Sequence, residues 1–394
     1  MSELMINYFK NTSTNFSKNK DNKYFKNSEE LLNDEENSIN EEDFKYLIKE
    51  EIFMFMGHFD NIILLAGAGA SVVGDKDPNF GHTVEMLGEE VKKQLQPPKY
   101  YTIEEICSMC NYNTSSDNNI FNLEDLLSRM QSYLQFVPDK EKYKFNKSYK
   151  KIIEVIKDKT SYSYDKNSFK HGKLIKQLTE LHVTPNRLSV VTTNYDTVIE
   201  ESAYNLNFTV FDGFTFSHQP IFDIDMFDWN LSKPISVVKS QKEAYKKSVI
   251  NLLKIHGSLT WKRDGNNIVR SNKKEIEEPI MIFPSSNKYM QSYEKPYFEL
   301  FSKFQELLRR PNTILITSGF SFADNHISQM IIQAIKAIPS LSLLITDFNI
   351  DTKEPNKNWK NLLDLMNDDY NIAFLKATMN MDLTDYFTRG ENDD

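Results

Sequence analysis

What most constrains the fold of this 394-residue chain is a series of short apolar runs separated by stretches with helical spacing. The runs are IILLA (62–66), LSVVTT (188–193), INLLKI (250–255), IMIF (280–283), TILITS (313–318), LSLLIT (341–346) and NIAFL (371–375). Each is apolar almost throughout rather than at alternate positions. Strands of that kind need cover on both faces, the condition of a parallel sheet flanked by helices. Between them, 82–95, 195–205, 293–310, 325–337 and 357–367 carry apolar residues at helical spacing. The fold class that follows is α/β, a Rossmann-like parallel sheet flanked by helices.

Three segments break the rhythm. Residues 1–40 are rich in Asn, Lys, Ser and Glu with little periodicity, and read as a flexible or partner-ordered N-terminal arm. Asn40, followed by Glu41, Glu42 and Asp43, marks a helix start with an apolar stripe over 44–56. One domain is expected over 41–394, with a helical insertion over about 97–185 that contains NLEDLLSRMQSYLQF, capped by Asn122. The aromatic, polar stretch 212–248 reads as a loop or lid. Helices 44–56 and 297–308 suit either core or a subunit interface, which periodicity does not separate; a homo-oligomer is the expectation.

Composition excludes several classes. The net charge of −9 disfavours direct nucleic-acid binding, although a local anion site made of backbone amides stays open. Two cysteines, Cys107 and Cys110, cannot form a disulfide scaffold, and no second pair completes a zinc site. They read as ordinary thiols on a helix, and no zinc or other metal is expected. The opening MSELMINYFKNTSTNF lacks the apolar core of a signal peptide, and no run approaches the roughly 20 residues that span a bilayer. The expectation is a cytoplasmic protein with no membrane partner.

Ligands of open α/β sheets bind outside the carboxyl ends of the strands. IILLA is followed there by Gly67, Ala68, Gly69, Ala70 and Ser71, and SVVTT ends at Thr193 before Asn194, Tyr195 and Asp196. LLKI is followed by His256, Gly257 and Ser258, ILITS by Gly319, Phe320, Ser321, Phe322, Ala323 and Asp324, and LLIT by Asp347. Alone, each has a simpler reading: a tight turn, a helix cap, a buried histidine, a turn residue. The third glycine of a dinucleotide fingerprint is replaced by Val72. A single nucleotide site on one sheet edge accounts for all of them together.

Taken in order, GAGAS, TTNYD, KIHGS and GFSFAD resemble the sirtuin-like superfamily, which carries a G-A-G-x-S phosphate loop, a T-x-N-x-D strand end and a catalytic H-G. The resemblance runs from Ile62 to about Phe348. It implies NAD+ as substrate, with Asn194 and His256 catalytic. Gly67, Ala68, Gly69, Ser71, Thr193, Asp196, Gly319, Ser321 and Asp347 would bind the dinucleotide. The four-cysteine zinc module of the deacetylases is missing from WKRDGNNIVRSNKKEIEEP, DKDPNFG replaces their Asp-Phe-Arg segment, and Phe283 is followed by Pro284-Ser285-Ser286 rather than completing an FGE tripeptide. The chain is therefore more similar to the zinc-free bacterial antiphage proteins: Thoeris NAD hydrolases, defence-associated sirtuins and the sirtuin-like partners of HerA-type ATPases or short Argonautes.

That subgroup implies an NAD+ hydrolase that cleaves the nicotinamide–ribose bond and depletes NAD+ in abortive infection, with a HerA-type ATPase or other defence partner encoded nearby. In this reading the Gly67–Ser71 amides and a following helix N-terminus hold the pyrophosphate. Asn194 positions ribose and water, and Asp196 contacts the nicotinamide side. His256, with a reference pKa of about 6.5, takes a proton. Gly319 and Ser321 pack near the adenosine, and Asp347 accepts from ribose hydroxyls. Competing readings are an NAD-dependent protein deacylase, a non-enzymatic nucleotide-binding subunit, and a nuclease component of an ATPase-partnered complex. The last would need a metal cluster, for which Asp223, Asp225 and Asp228 are the candidates.

Overall fold

In the computed structural model, which describes residues 5–74, 81–112, 123–235, 243–281 and 295–388, the chain opens with β1 (Ile6–Lys10), β2 (Asn15–Lys18), β3 (Tyr24–Lys26), β4 (Glu29–Glu30) and helix α1 (Glu41–Met56). Strand β5 (Asn61–Ala66) precedes five helices: α2 (Val84–Gln94), α3 (Ile103–Met109), α4 (Leu123–Tyr133), α5 (Asp139–Thr160) and α6 (His171–Glu180). Then come β6 (Ser189–Thr192), α7 (Val198–Asn205), β7 (Thr209–Phe211), the small pair β8 (Ser232–Pro234) and β9 (Glu243–Tyr245), and β10 (Val249–Lys254). A hairpin, β11 (Trp261–Asp264) and β12 (Asn267–Arg270), leads to α8 (Tyr297–Leu308). Alternation closes the chain with β13 (Thr313–Ser318), α9 (Asn325–Ala337), β14 (Leu341–Asp347), α10 (Lys357–Asn367) and β15 (Ile372–Lys376).

Parallel pairing runs β7-β10-β6-β5-β13-β14-β15. The chain builds outward from β5 in one direction through β6 and β10, then returns to lay β13, β14 and β15 on the other side. That makes β5 the topological switch point, where ligands of such sheets bind. Successive side chains of each strand serve opposite faces, as the pleat requires. Ile63, Leu65, Val191 and Leu253 pack under α8, α9 and α10. Ile62, Leu64, Val190 and Leu252 pack under α1, α6 and α7. The mixed α/β architecture with a largely parallel, helix-flanked central sheet is the one expected.

Residues 1–40 correct the expectation of a flexible arm. Strand β1 pairs antiparallel with β15 (Phe9 opposite Leu375), and β2, β3 and β4 extend the sheet further. Each strand is short and buries few side chains, so polar residues dominate the composition and hide the pattern. The buried ones are aromatic: Phe9, Phe16 and Tyr24 are at most 5% exposed. Phe16 meets Phe44 of α1 edge-on at 5.9 Å between ring centroids, and Tyr24 meets it at 4.4 Å. Asn40 caps α1, its side chain accepting from the Asp43 amide.

The helical unit also differs from its expected bounds of 97–185. Its core gathers Leu87 and Val91 of α2, Ile106 of α3, Leu127 of α4 and Ile152 of α5. Helix α6 packs instead on the main sheet through Leu174, Ile175 and Leu178. Of the stretch 212–248, expected as a loop or lid, none of the described residues covers the carboxyl ends of the strands. Arg187, at the amino end of β6, donates to the carbonyls of Phe227 and Trp229 and holds that part at the opposite edge, while Phe214 and Phe227 enter the core. Of the run at 280–283 only residues 280 and 281 are described, and Met281 forms a bridge to Gly257. Residues 75–80, Asn122, and Phe283 through Ser286 lie outside the described residues. Among those described, no helix is long and apolar enough to cross a membrane.

Two predictions follow from this packing. Phe44→Ala should cost about 3–5 kcal/mol in denaturant unfolding, because the vacated ring lies among three others; a flexible arm would make the change nearly neutral. His171, at the start of α6, is 2% exposed, and burial pushes its pKa down to about 3. The unfolded chain binds that proton below a pH of about 6.5, so stability is lost as pH falls through 6.5 toward the folded value. This group should contribute about 2 kcal/mol of loss between pH 7 and pH 5. His171→Leu, titrated with denaturant at both pH values, should reduce the slope accordingly.

Candidate functional site

The parallel registers set five strand ends level. Lys254, Thr192, Ala66, Ser318 and Thr346 are paired in one continuous row across β10, β6, β5, β13 and β14. One or two residues beyond that row stand His256, Asn194, Gly67, Gly319 and Asp347, along a single carboxyl edge. A cleft of about 1490 Å³ opens there. Ala68, Gly69, Ser71, Thr193, Asn194, Asp196, His256, Gly319, Ser321 and Asp347 all line it, whereas Gly67 sits behind the wall. The helical unit supplies the facing side through Glu85, Leu87 and Asp125. It is fixed to the strand ends because Tyr195 and Leu259 are part of its core.

Backbone contact explains the glycines. A Cβ on Gly67 would stand 2.5 Å from the Gly319 carbonyl oxygen, and one on Gly319 (φ 61°) would stand 2.0 Å from the Ala70 nitrogen. The two loops therefore touch main chain to main chain, and Gly69 N–H donates to the Gly319 carbonyl at 3.0 Å. Gly67 N–H donates to Ser318 and Ala70 N–H to Gly67, so three of the five amides expected to cradle an anion hold the fold instead. Among the described residues, no α-helix starts directly at the loop: Ala68–Ser71 is a single 3-10 turn, and the next described helix is α2 from Val84. The dense loop contact leaves no room for a long helix to start at Gly69.

Asn194 and Asp196 close this loop onto β6. The Asn194 side-chain amide donates to the Gly67 carbonyl at 2.9 Å and to Ser71 Oγ at 3.0 Å. Ser71 Oγ donates in turn to Asp196 Oδ2 at 2.7 Å, and Asp196 Oδ1 accepts from the Val198 amide at the start of α7. With its NH2 committed, Asn194 offers a water or sugar hydroxyl its Oδ1. Asn380, beyond β15, donates to the carbonyls of Ala70 and Val72 and fixes the loop from the far side. No local pattern in the sequence marks that asparagine.

His256, 2% exposed, has Nε2 at 3.2 Å from Asp324 Oδ2. The other oxygen of Asp324 accepts from the His326 and Ile327 amides and caps α9. The sequence marks Asp324 only as the last residue of GFSFAD, and its place beside His256 depends on β10 and β13 ending at one edge. Buried Phe320 and Phe322 anchor the same loop and leave Ser321 exposed in the cleft. Asp347 stands at the tip of β14, where burial pushes its carboxyl up while the Asn349 amide and Lys376 oppose that shift. Among the described residues, no group of His, Cys, Asp or Glu is placed to hold a metal ion. Asp223 caps its own turn, and Asp228 pairs with Lys303 at 2.6 Å. Burial pushes the Cys107 and Cys110 thiols up to about 11 and about 12, which keeps both protonated at neutral pH.

The cleft lies at the switch point of a parallel α/β sheet, where ligands of such sheets bind. Residues 188–366 match the family model described as a SIR2-like domain. The matched segment contains Asn194, His256, Gly319, Asp324 and Asp347. No curated protein matches the chain. A solved structure described as the structural basis of sirtuin substrate affinity aligns over 86% of this chain and 96% of its own, with 13% identity and a TM-score of 0.31. So distant a likeness carries no argument.

The loop contact can be tested by two alanines at the same backbone conformation. Gly265 (φ 58°) has open space around its missing Cβ, so Gly265→Ala should cost only about 1–2 kcal/mol for the left-handed conformation. Gly319→Ala must also displace the Ala70 backbone. It should lower the unfolding midpoint far more, and equal midpoints would refute the contact.

Proposed function

We propose that the protein hydrolyses NAD+ at the bond between nicotinamide and ribose, giving nicotinamide and ADP-ribose. The observation that carries this reading is the convergence of Asn194 and the His256–Asp324 pair on one cleft beside the glycine loop. NAD+ is the substrate here. The C1′–N1 bond breaks with its electron pair going to the ring nitrogen, so nicotinamide leaves neutral and no acid need protonate it. The ribose becomes cationic, and the Asp196 and Asp324 carboxylates in the cleft suit that charge. Water adds at C1′, and its proton passes to the His256–Asp324 pair. The Asp324 carboxylate orients the imidazole. Asn194 Oδ1 holds water or the ribose hydroxyls in line. Ala68, Gly69, Ser71 and Thr193 would face the phosphates, with Gly319, Ser321 and Asp347 toward the adenosine and its ribose.

In the cell this activity would deplete NAD+ on activation, as in abortive infection. A homo-oligomer and a HerA-type ATPase or other defence partner are what the sequence resemblance supports. Purified protein should release nicotinamide from NAD+ in the presence of the product of its genomic neighbour. Asn194→Ala and His256→Ala should each lower that release roughly 100-fold or more, and Asp324→Asn somewhat less. Undiminished turnover in both alanine variants would remove the assignment. Formation of O-acyl-ADP-ribose from an acyl peptide would redirect it to a deacylase.

A further inference from the structure

Lys254 is the one charged residue of β10, at its end, and is only 2% exposed. Its ammonium donates to the carbonyls of Tyr195, at 3.4 Å, and Asp196, and to Glu200 Oε1 at 2.9 Å. Three acceptors thus meet the three donors of one buried cation. Two of them belong to the turn directly after Asn194. The third is in the first turn of α7, where a carboxylate also suits the helix dipole. His256 lies two residues beyond Lys254, so the end of β10 supplies both the histidine of the cleft and the cation beneath the Asn194 turn.

We infer that Lys254 is a positioning residue: its buried ammonium fixes the 194–196 turn, and through it the Asn194 and Asp196 contacts to Ser71, in the arrangement that hydrolysis needs. The inference rests on the hydrolase reading for its effect on turnover, but its structural part can be read without it. An uncharged side chain at 254 would leave two turn carbonyls without their donor and a carboxylate without its cation. Breaking such a pair from one side destabilises, whereas neutralising both partners restores much of the loss. That difference separates positioning from mere stability.

The experiment compares wild type, Glu200→Gln, Lys254→Met and the double variant K254M/E200Q. The readouts are unfolding midpoint, hydrogen exchange of the peptide spanning 193–197, and kcat and KM for NAD+ with the neighbouring gene product present. The double variant should regain most of the midpoint lost by K254M yet exchange at least about tenfold faster in 193–197. Its kcat should stay at least about tenfold down while KM changes less than about threefold. E200Q, which keeps both carbonyl contacts, should hold kcat within about threefold. Wild-type exchange in the double variant, recovery of kcat together with the midpoint, or an equal loss of kcat in E200Q would each overturn the inference. A wild type that releases no nicotinamide would overturn the hydrolase reading alone, and exchange in 193–197 would still decide the role of Lys254.

Discussion

The candidate site depends on one backbone contact, the meeting of the Gly319 loop with Gly67 and Gly69 where β13 and β5 end side by side. The two loops approach closely enough for a main-chain hydrogen bond only because neither carries a Cβ at the contact. That approach stops the chain from launching a helix after β5 and leaves a short turn ending at Ser71. Ser71 then becomes the point at which β6 is joined, through Asn194 and Asp196. The wall of the cleft is therefore a connected polar network, with Asn380 holding its outer side and Lys254 the turn beneath.

This arrangement changes what the glycines mean. Their amides are largely used within the fold, so the loop is less an open anion cradle than a rigid base on which Asn194 and Ser71 are set. Rigidity has chemical value where a water and a short-lived cationic sugar must be held in line. The same economy recurs at Asp324, where one oxygen caps α9 and the other faces His256. A helix start and a side-chain orientation are met by a single carboxylate.

Much of this was open to reading from the residues. Strands β5, β6, β10, β13, β14 and β15 announce themselves because burial on both faces leaves no polar alternation, whereas the three-residue β7 does not, and the strand-end residues follow once the sheet is taken as parallel. The amino-terminal strands escaped because each buries only one or two aromatics amid lysines and asparagines. The helical unit was recognised but misplaced, since helical spacing cannot tell which core α6 will join. In the site, Lys254 carried a signal, a cation inside an apolar run, but its partners stand 54, 58 and 59 residues away in sequence.

By itself, then, the sequence determined the α/β class, the carboxyl edge on which chemistry is gathered, and the small and polar residues placed there, because those follow from periodicity and strand ends. The tertiary structure alone decided that Gly319 pins the glycine loop, that Asp324 faces His256, that Lys254 lies under the Asn194 turn, and that strands β1 to β4 extend the sheet. Each of these is a contact between segments far apart in the chain. Local pattern carries no information about such contacts, and only the register of neighbouring strands brings them within hydrogen-bonding distance.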